Sequence, residues 1–588
     1  MTRRLPRKDV AIVGLGWTGS IMAIELARAG LSVVALERGP WRDTATDFNI
    51  GTAPDELRYA VRQEIFLRPQ QETLTARNNV SQRALPIRRW GSFLPGNGVG
   101  GAGVHWNGQT WRFLPDDFRL RSRLVERYGE KFLPADNQIQ DWPVSYADLE
   151  PHYDRFEYLA GISGKAGNIK GTLQPGGNPF EGPRAREYPT PPMQQSYAEQ
   201  LFTRAATEKG LHPFPRPSAN LSTAYTNIYG CRMAPCTYCG FCERFGCANY
   251  SKASPQTCVL PALVREPNFE ARTECEVTKV NLSADGKHAT GVTYIDAAGE
   301  EIEQPADLVL LCAYGLFNVR LLLLSGIGKP FDAVSNTGVV GRNYAYQSGG
   351  GATGFFDNVK FNPFVGAGSI GTAADDFNSD NFDHAPLGFV GGASITSGAS
   401  NGRPILYHPT APGTPAWGSK WKQSVRENYL RVTGVGGQGS VMSYRGNYLD
   451  LDPTYKDPLG RPLMRMTFDY QDNERKLSAW IASRCEEIVK AMGARQTVAS
   501  RIVGPWSVVP YQTTHNTGGA VMGSDPNTSV LNRYLQSWDV PNVFVTGASA
   551  FPQNAGYNPT GTVGALTYWA LAAITGQYLK NPGALVPA

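Results

Sequence analysis

The stretch DVAIVGLGWTGSIMAIELARAGLSVVALERG, residues 9–39, constrains this chain more than any other. A β-branched run at 10–13 reads as a buried strand. Gly14, Gly16 and Gly19 follow in G-x-G-x-x-G spacing, a helical stretch at 20–29 leads to Gly30 as a stop signal, and a second strand, 32–36, ends at Glu37. Each part has a physical task. Gly14 permits a tight turn, Gly16 lets the backbone approach a pyrophosphate, and Gly19 allows close packing of helix on strand. The helix N-terminus offers free N–H groups and a positive dipole end to phosphates, and Glu37 is placed to accept from ribose hydroxyls. Strand, helix, strand and acid in this order predict a dinucleotide-binding unit. The motif does not separate FAD from NAD.

Length and composition bound the rest. At 588 residues the chain is too long for one ordinary core, and either three to four modules or one large enzyme with an interleaved second domain fits. The net charge of +5 is small and no dense Lys/Arg run occurs, which excludes nucleic-acid binding by phosphate neutralisation. The opening MTRRLPRKDVAIVGLG runs straight into the glycine motif, so no Sec-type signal is expected in this chain. No run of apolar residues is long enough to predict a membrane-spanning helix.

A second feature is PCTYCGFCERFGC, residues 235–247, with Cys236, Cys239, Cys242 and Cys247 in C-x2-C-x2-C-x4-C spacing. Two disulfides, a zinc site and an iron–sulfur cluster compete for it. Disulfides within so short a loop would close tiny rings and gain little loop entropy. Zinc motifs separate two C-x2-C pairs by a dozen or more residues, whereas here Cys239 belongs to both short spacings. Iron–sulfur loops pack thiolates in this way, although this chain carries one extra residue and Ala248 where a bacterial ferredoxin run has proline. The spacing ranks a cluster ahead of zinc and zinc ahead of disulfides. Cys231 lies outside the spacing, and Cys258, Cys275, Cys312 and Cys485 read as packed thiols.

Two distant stretches choose the dinucleotide. They are LPGNGVGGAGVHWNGQTWRF (94–113) and FVTGASAFPQNAGYNPTGTVGALTYWALAAITGQYL (544–579), and with the N-terminal fingerprint they resemble the glucose–methanol–choline family of flavin oxidoreductases. ADLVLLCAYGLFNVRLLLLSGIG (306–328) and NTGVVGRNY (336–344) keep the family order, so the similarity spans almost the whole chain. It implies FAD, bound by Gly14, Gly16, Gly19, Glu37, Gly98, Gly100, Gly101, His105, Asn107, Gly547, Pro559 and Thr560. THNTGGAVMG (514–523) is similar to the segment carrying the family's catalytic histidine, here His515, and the second catalytic position falls on Asn558. Outside that resemblance a lone histidine reads as packing or surface and an Asn before proline as a turn residue. An imidazole suits removal of a hydroxyl proton, and an amide suits orienting the hydroxyl and stabilising its developing charge. His105, in VHWNG, is the implied point of covalent FAD attachment; the alternative is a histidine hydrogen-bonded beside a non-covalent cofactor. His152, His212, His288, His384 and His408 fall in no motif.

The expected fold is α/β: a Rossmann-like FAD-binding domain with an interleaved α+β substrate domain and a cysteine-rich insertion. The FAD domain is expected near 1–135, 225–345 and 506–588, with the cysteine loop at 231–258. Residues 136–224 read as a Pro/Gly-rich excursion over the surface, and 346–505 as the substrate domain. Within the family the cysteine loop resembles the membrane-linked dehydrogenases for gluconate, fructose, sorbitol and glucose. That branch implies oxidation of D-gluconate to 2-dehydro-D-gluconate, with electrons leaving FAD through a [3Fe–4S] cluster. It also implies a small subunit carrying a twin-arginine (Tat) signal and a membrane-anchored multihaem cytochrome c subunit, and hence a place on the periplasmic face of the inner membrane, with a cytoplasmic location as the alternative. Sorbitol, fructose, a ketogluconate or the C3 position of a glycoside remain open as substrates. The rival readings are a soluble oxidase of the same family using O2 and a flavin redox sensor with a zinc knuckle.

Overall fold

A computed structural model describes residues 3–48, 64–90, 93–398, 404–509 and 513–587. The N-terminal unit folds as β1 (Lys8–Val13), α1 (Trp17–Arg28) and β2 (Val33–Leu36). The helix starts at Trp17, three residues before the predicted Ser20, because the turn closes directly onto it: Ser20 N donates to Gly16 O at 3.0 Å. Gly14 has φ +93°, and a Cβ there would lie 2.7 Å from Cys312 O. A Cβ on Gly19 would lie 2.0 Å from Gly14 O, so α1 can seat against its own turn only with glycine at 19.

β1 is flanked on both sides by parallel neighbours, which is why Val10, Ala11 and Ile12 are fully buried. The sheet continues through β3 (Phe269–Arg272), β4 (Glu276–Leu282), β5 (Ala289–Ile295), β6 (Glu301–Leu311) and β7 (Val543–Val545), in the order β3-β2-β1-β6-β5-β4. β6 serves two partners along one edge. Its first half pairs antiparallel with β5, and Val309–Leu311 pairs parallel with β7. One sheet therefore draws on stretches near the start, middle and end of the chain, and its carboxyl ends meet at one place.

A second, antiparallel sheet of six strands contains Ser348–Phe355, Val432–Gly439 and Ala393–Ser397 at its centre. The helix Asp472–Ala491 covers it through Leu477, Ile481 and Ile488. The approach is close, since a Cβ on Gly350 would lie 2.5 Å from Ser478 O, and this accounts for the SGGGATGF strand. Two expected boundaries are crossed by strands. Phe214–Pro215 joins the edge of this sheet, and Thr75–Arg77 pairs with Pro462–Thr467 in a third sheet.

The stretch 136–224 is more than a surface excursion. It holds helices Tyr146–Ala160, labelled α2, and Tyr197–Glu208. A capping box opens α2, with Ser145 Oγ accepting from Asp148 N at 3.1 Å and Asp148 Oδ2 accepting from Ser145 N at 2.9 Å. Tyr153 and Phe156 of α2 are buried against the C-terminal helix α3 (Thr560–Ala573), where a Cβ on Gly564 would strike the Phe156 ring at 2.3 Å. Proline and glycine content misled the sequence reading because apolar residues spaced along 146–160 set the local structure.

Gly19→Val should displace α1 and destabilise the protein by about 1–3 kcal/mol. A thermal melt and the flavin absorbance of the purified variant would show it, with unchanged melting and full flavin content counting against this packing account.

Candidate active site

A cavity of about 470 Å³ opens where the carboxyl ends of β1, β2 and β6 meet residues 94–107 and the start of α3. Ligand sites of open α/β sheets lie at such ends. Of the residues predicted to bind cofactor, Gly14, Gly16, Glu37, Gly101, His105, Asn107, Gly547, Pro559 and Thr560 line its wall. The carboxylate of Glu37 accepts from Leu15 N at 3.0 Å and from Gly39 N at 3.0 Å, which fixes the glycine turn and leaves acceptor capacity for a ribose diol. The turn is fixed from the other side by Gly100 N, which donates to Leu15 O at 2.8 Å.

Three predicted binding positions lie behind the wall. Gly19 packs helix on turn, a Cβ on Gly98 would meet Pro40 O at 2.6 Å, and one on Gly100 would meet the Gln256 side chain at 2.2 Å. These glycines shape the cofactor segment through close backbone packing and do not face the cavity. Pro559 and Thr560 stand at the N-terminus of α3, whose positive dipole end faces the cavity.

His105 is buried, and its Nε2 has no hydrogen-bond partner. Burial, with the charges of Lys252 and Arg244, pushes its pKa down to about 3, so the imidazole is neutral. The edge of its ring meets Phe66 at 4.7 Å between centroids. A bare glycine turn, a ribose-competent carboxylate and a neutral imidazole with an unused nitrogen fit a flavin dinucleotide.

His515 and Asn558, far apart in sequence, meet at the same cavity. Asn558 Nδ2 lies 3.0 Å from His515 Nε2. The ring is open only to the cavity, and this enclosure pushes its pKa down to about 3. Asn558 Oδ1 accepts from Trp111 Nε1 at 3.1 Å, and Trp111 stacks on Tyr557 with ring centroids 4.7 Å apart. The Tyr557 hydroxyl donates to buried Asp375, which also accepts from Asn178 Nδ2 at 2.6 Å. On its other side His515 Nδ1 meets Gln347 Oε1. Sequence reasoning missed Trp111, Gln347 and Asp375. Trp111 lies inside a quoted motif, but nothing local marks the other two.

The cysteine loop backs onto the same cofactor segment. Arg244 N donates to His105 O at 2.7 Å, and Lys252 Nζ donates to Trp106 O, Cys242 O and Phe245 O, each at 2.7 Å. Cys236, Cys239, Cys242 and Cys247 are all free thiols, and every pair of them is within electrostatic reach. Burial pushes the Cys242 thiol up to about 12 and the Cys236 thiol up to about 11. Tyr238 N points at Cys236 Sγ and Lys252 N at Cys247 Sγ, each at 3.4 Å. Among the described residues no three His, Cys, Asp or Glu side chains stand close enough to ligate one metal ion.

Residues 192–348 and 443–567 match two family models, both described as GMC oxidoreductase. The chain is 50% identical to the gluconate 2-dehydrogenase flavoprotein of Pantoea cypripedii, over 100% of this chain and 97% of that one. It is 26% identical to the fructose dehydrogenase large subunit of Gluconobacter japonicus, over 96% of this chain and 97% of that one. Among solved structures, pyridoxine 4-oxidase from Mesorbium loti aligns with TM-score 0.58 at 17% identity, over 98% of this chain and 100% of that one, a likeness of fold.

His515→Ala should slow anaerobic flavin reduction by an alcohol substrate about 10²–10⁴-fold with flavin retained, and Asn558→Ala by about 10²–10³-fold. A base role for His515 requires the neutral ring and therefore predicts that rate is lost as pH falls through its pKa. With that pKa pushed down to about 3, the rate should stay flat from neutrality well into the acid range. Stopped-flow flavin reduction against pH checks this, and an acid limb near the ordinary histidine value of 6.5 would contradict it.

Proposed function

The chain belongs to the GMC oxidoreductase family, and from that membership we propose that it is the flavoprotein component of a gluconate-oxidising dehydrogenase, converting D-gluconate to 2-dehydro-D-gluconate. Its activity class is that of an FAD-dependent dehydrogenase of alcohols and sugars. The observation that carries the finer reading is 50% identity along the full chain to a gluconate 2-dehydrogenase flavoprotein.

Bound FAD supplies the acceptor for the hydride leaving the substrate carbon. The protein handles the proton and the alignment. His515 Nε2 receives the C2 hydroxyl proton, and Asn558 Nδ2, 3.0 Å away, donates to the oxygen as its charge grows. Trp111 holds the amide in that orientation through Asn558 Oδ1. The neutral, unpartnered Nε2 of His105 supports a covalent link to FAD there.

Three of the four loop thiols are proposed to hold an iron–sulfur cluster of [3Fe–4S] type, with the fourth spare, although no three of them are arranged around a single ion here. Such a cluster would supply one-electron redox chemistry when present. Lys252 supports this reading. Its ammonium is fully buried on three carbonyl oxygens and makes no carboxylate ion pair among the described residues. Burying an ion costs several kcal/mol; burial pushes the Lys252 pKa down, and negative charge on Cys242, Cys247, Cys239 and Glu243 pushes it back up. A thiolate-ligated cluster would supply the missing negative charge. The names of two relatives, "flavoprotein" and "large subunit", support a multi-subunit assembly. Its other members are proposed to be a small subunit with a Tat signal and a membrane-anchored multihaem cytochrome c, at the periplasmic face of the inner membrane. No helix among the described residues is long and apolar enough to cross a membrane.

Anaerobically purified holoenzyme should be reduced by D-gluconate faster than by D-sorbitol or D-fructose, and should turn over with ferricyanide but not with O2. It should contain iron and give a low-temperature EPR signal that fades on adding gluconate. Faster reduction by a neutral polyol would move the substrate assignment, and iron-free active protein would end the cluster reading. A separate check concerns His105. Acid-denatured wild type should keep its flavin on the polypeptide, whereas His105→Ala should release it, and release by both would show a non-covalent cofactor.

A further inference from the structure

Every hydrogen bond around His515 runs in a direction that its neighbours leave no freedom to reverse. The Gln347 amide nitrogen lies 3.1 Å from Gly439 O and 3.0 Å from Ala555 O. Peptide carbonyls only accept, so both protons of that nitrogen are committed. Turning the amide over would set its oxygen against two carbonyl oxygens. Gln347 Oε1 is thereby held toward His515 Nδ1. An amide oxygen also only accepts, so Nδ1 must carry the proton. A neutral imidazole has one N–H, which leaves the lone pair on Nε2.

The other end is fixed as firmly. Trp111 Nε1 can only donate, and it donates to Asn558 Oδ1 at 3.1 Å. That turns the Asn558 amide nitrogen to His515 Nε2 at 3.0 Å, where it meets a lone pair and not a second N–H. Trp111, Asn558, His515 and Gln347 thus form one chain of donors pointing the same way, ending on main-chain oxygens.

We propose that Gln347 is a positioning residue that locks His515 in the Nδ1–H tautomer, so that Nε2 is always the proton acceptor presented to the substrate hydroxyl. This rests on the reading of His515 as the catalytic base. Proton transfer then needs no rearrangement behind the ring. When substrate binds, the Asn558 N–H that occupies the Nε2 lone pair turns to the substrate oxygen; the substrate O–H bond then breaks, an Nε2–H bond forms, and Nδ1–H keeps its bond to Gln347 throughout. A neutral amide does this without a buried carboxylate, which would raise the imidazole pKa and weaken its readiness to start unprotonated. The titratable side chains bonded to the main chain of residues 513–514 and of Gln347 are phenols. Tyr314, Tyr346 and Tyr470 donate their hydroxyls to Thr514 O, Thr513 O and Gln347 O respectively. Burial is the cause of the depressed His515 pKa, and no charged side chain contributes, Arg244 and Glu243 of the same cavity included.

The test reads the tautomer directly. Holoenzyme labelled with 15N in its seven histidines is compared with His515→Ala to assign the His515 ring, and with Gln347→Met, which keeps the side-chain length but removes the amide. Wild type should show protonated Nδ1 and bare Nε2 at neutral pH. Gln347→Met should show a mixture of tautomers, with flavin content and KM retained and the maximal rate of flavin reduction lowered about tenfold or more, as expected when a base is offered in the wrong tautomer. An Nε2–H ring or an imidazolium in the wild type overturns the proposal, as does a Gln347→Met protein whose tautomer and rate match the wild type. Should Gln347→Met lose its flavin, the wild-type spectrum alone decides. A His515→Ala protein that reduces flavin at the wild-type rate would instead remove the base reading, whatever tautomer the ring adopts.

Discussion

The architecture depends on a contact between backbones. At Gly14 the turn after β1 passes so close to Cys312 at the end of β6 that no side chain fits between them, and Gly100 N reaches across to Leu15 O. Three chain stretches that are remote in sequence therefore meet without intervening side chains. The bare surface left there is what a pyrophosphate needs, since its oxygens can bond only to N–H groups they can reach. The wall of the cavity and the absence of side chains in it have the same cause. A bulkier residue at Gly14 would part the strands and fill the site together.

From that junction His515 and Asn558 are held by elements that belong to neither the turn nor the first sheet. His515 stands two residues before Thr517, which is bridged to Ala345 with N to O distances of 3.0 Å in both directions. Asn558 precedes α3, which is fixed by α2 across Phe156. The second sheet enters through Gly439, whose carbonyl accepts from Gln347 Nε2. His515 and Asn558 therefore sit where two sheets and a helix start converge. Their geometry is set by packing on three sides.

What the sequence made legible follows the range of the interactions. The βαβ unit could be read directly, because its determinants lie within thirty residues of one another and act through the local backbone. His515 and Asn558 were legible only by resemblance, since neither residue type at its position dictates a role. Gln347 and Trp111 were not legible at all. Gln347 acts on a histidine 168 positions away and Trp111 on an asparagine 447 positions away, and no spacing rule connects such pairs. The stretch 136–224 was misjudged for the opposite reason, since composition was weighed over the apolar spacing that builds α2. Gly98 and Gly100 were read as ligand contacts although their value lies in what they allow behind the wall.

The segment 105–107 ties the two chemically loaded regions together. His105 and Asn107 line the cavity, while between them the Trp106 carbonyl accepts from Lys252 and the Trp106 indole donates to Ala253 O at 2.7 Å. The same Lys252 ammonium bonds the carbonyls of Cys242 and Phe245 and lowers the His105 pKa through its charge. One buried Lys252 side chain thus bonds both the back of the cofactor wall and the cysteine loop, and adds its charge to the burial that keeps His105 neutral.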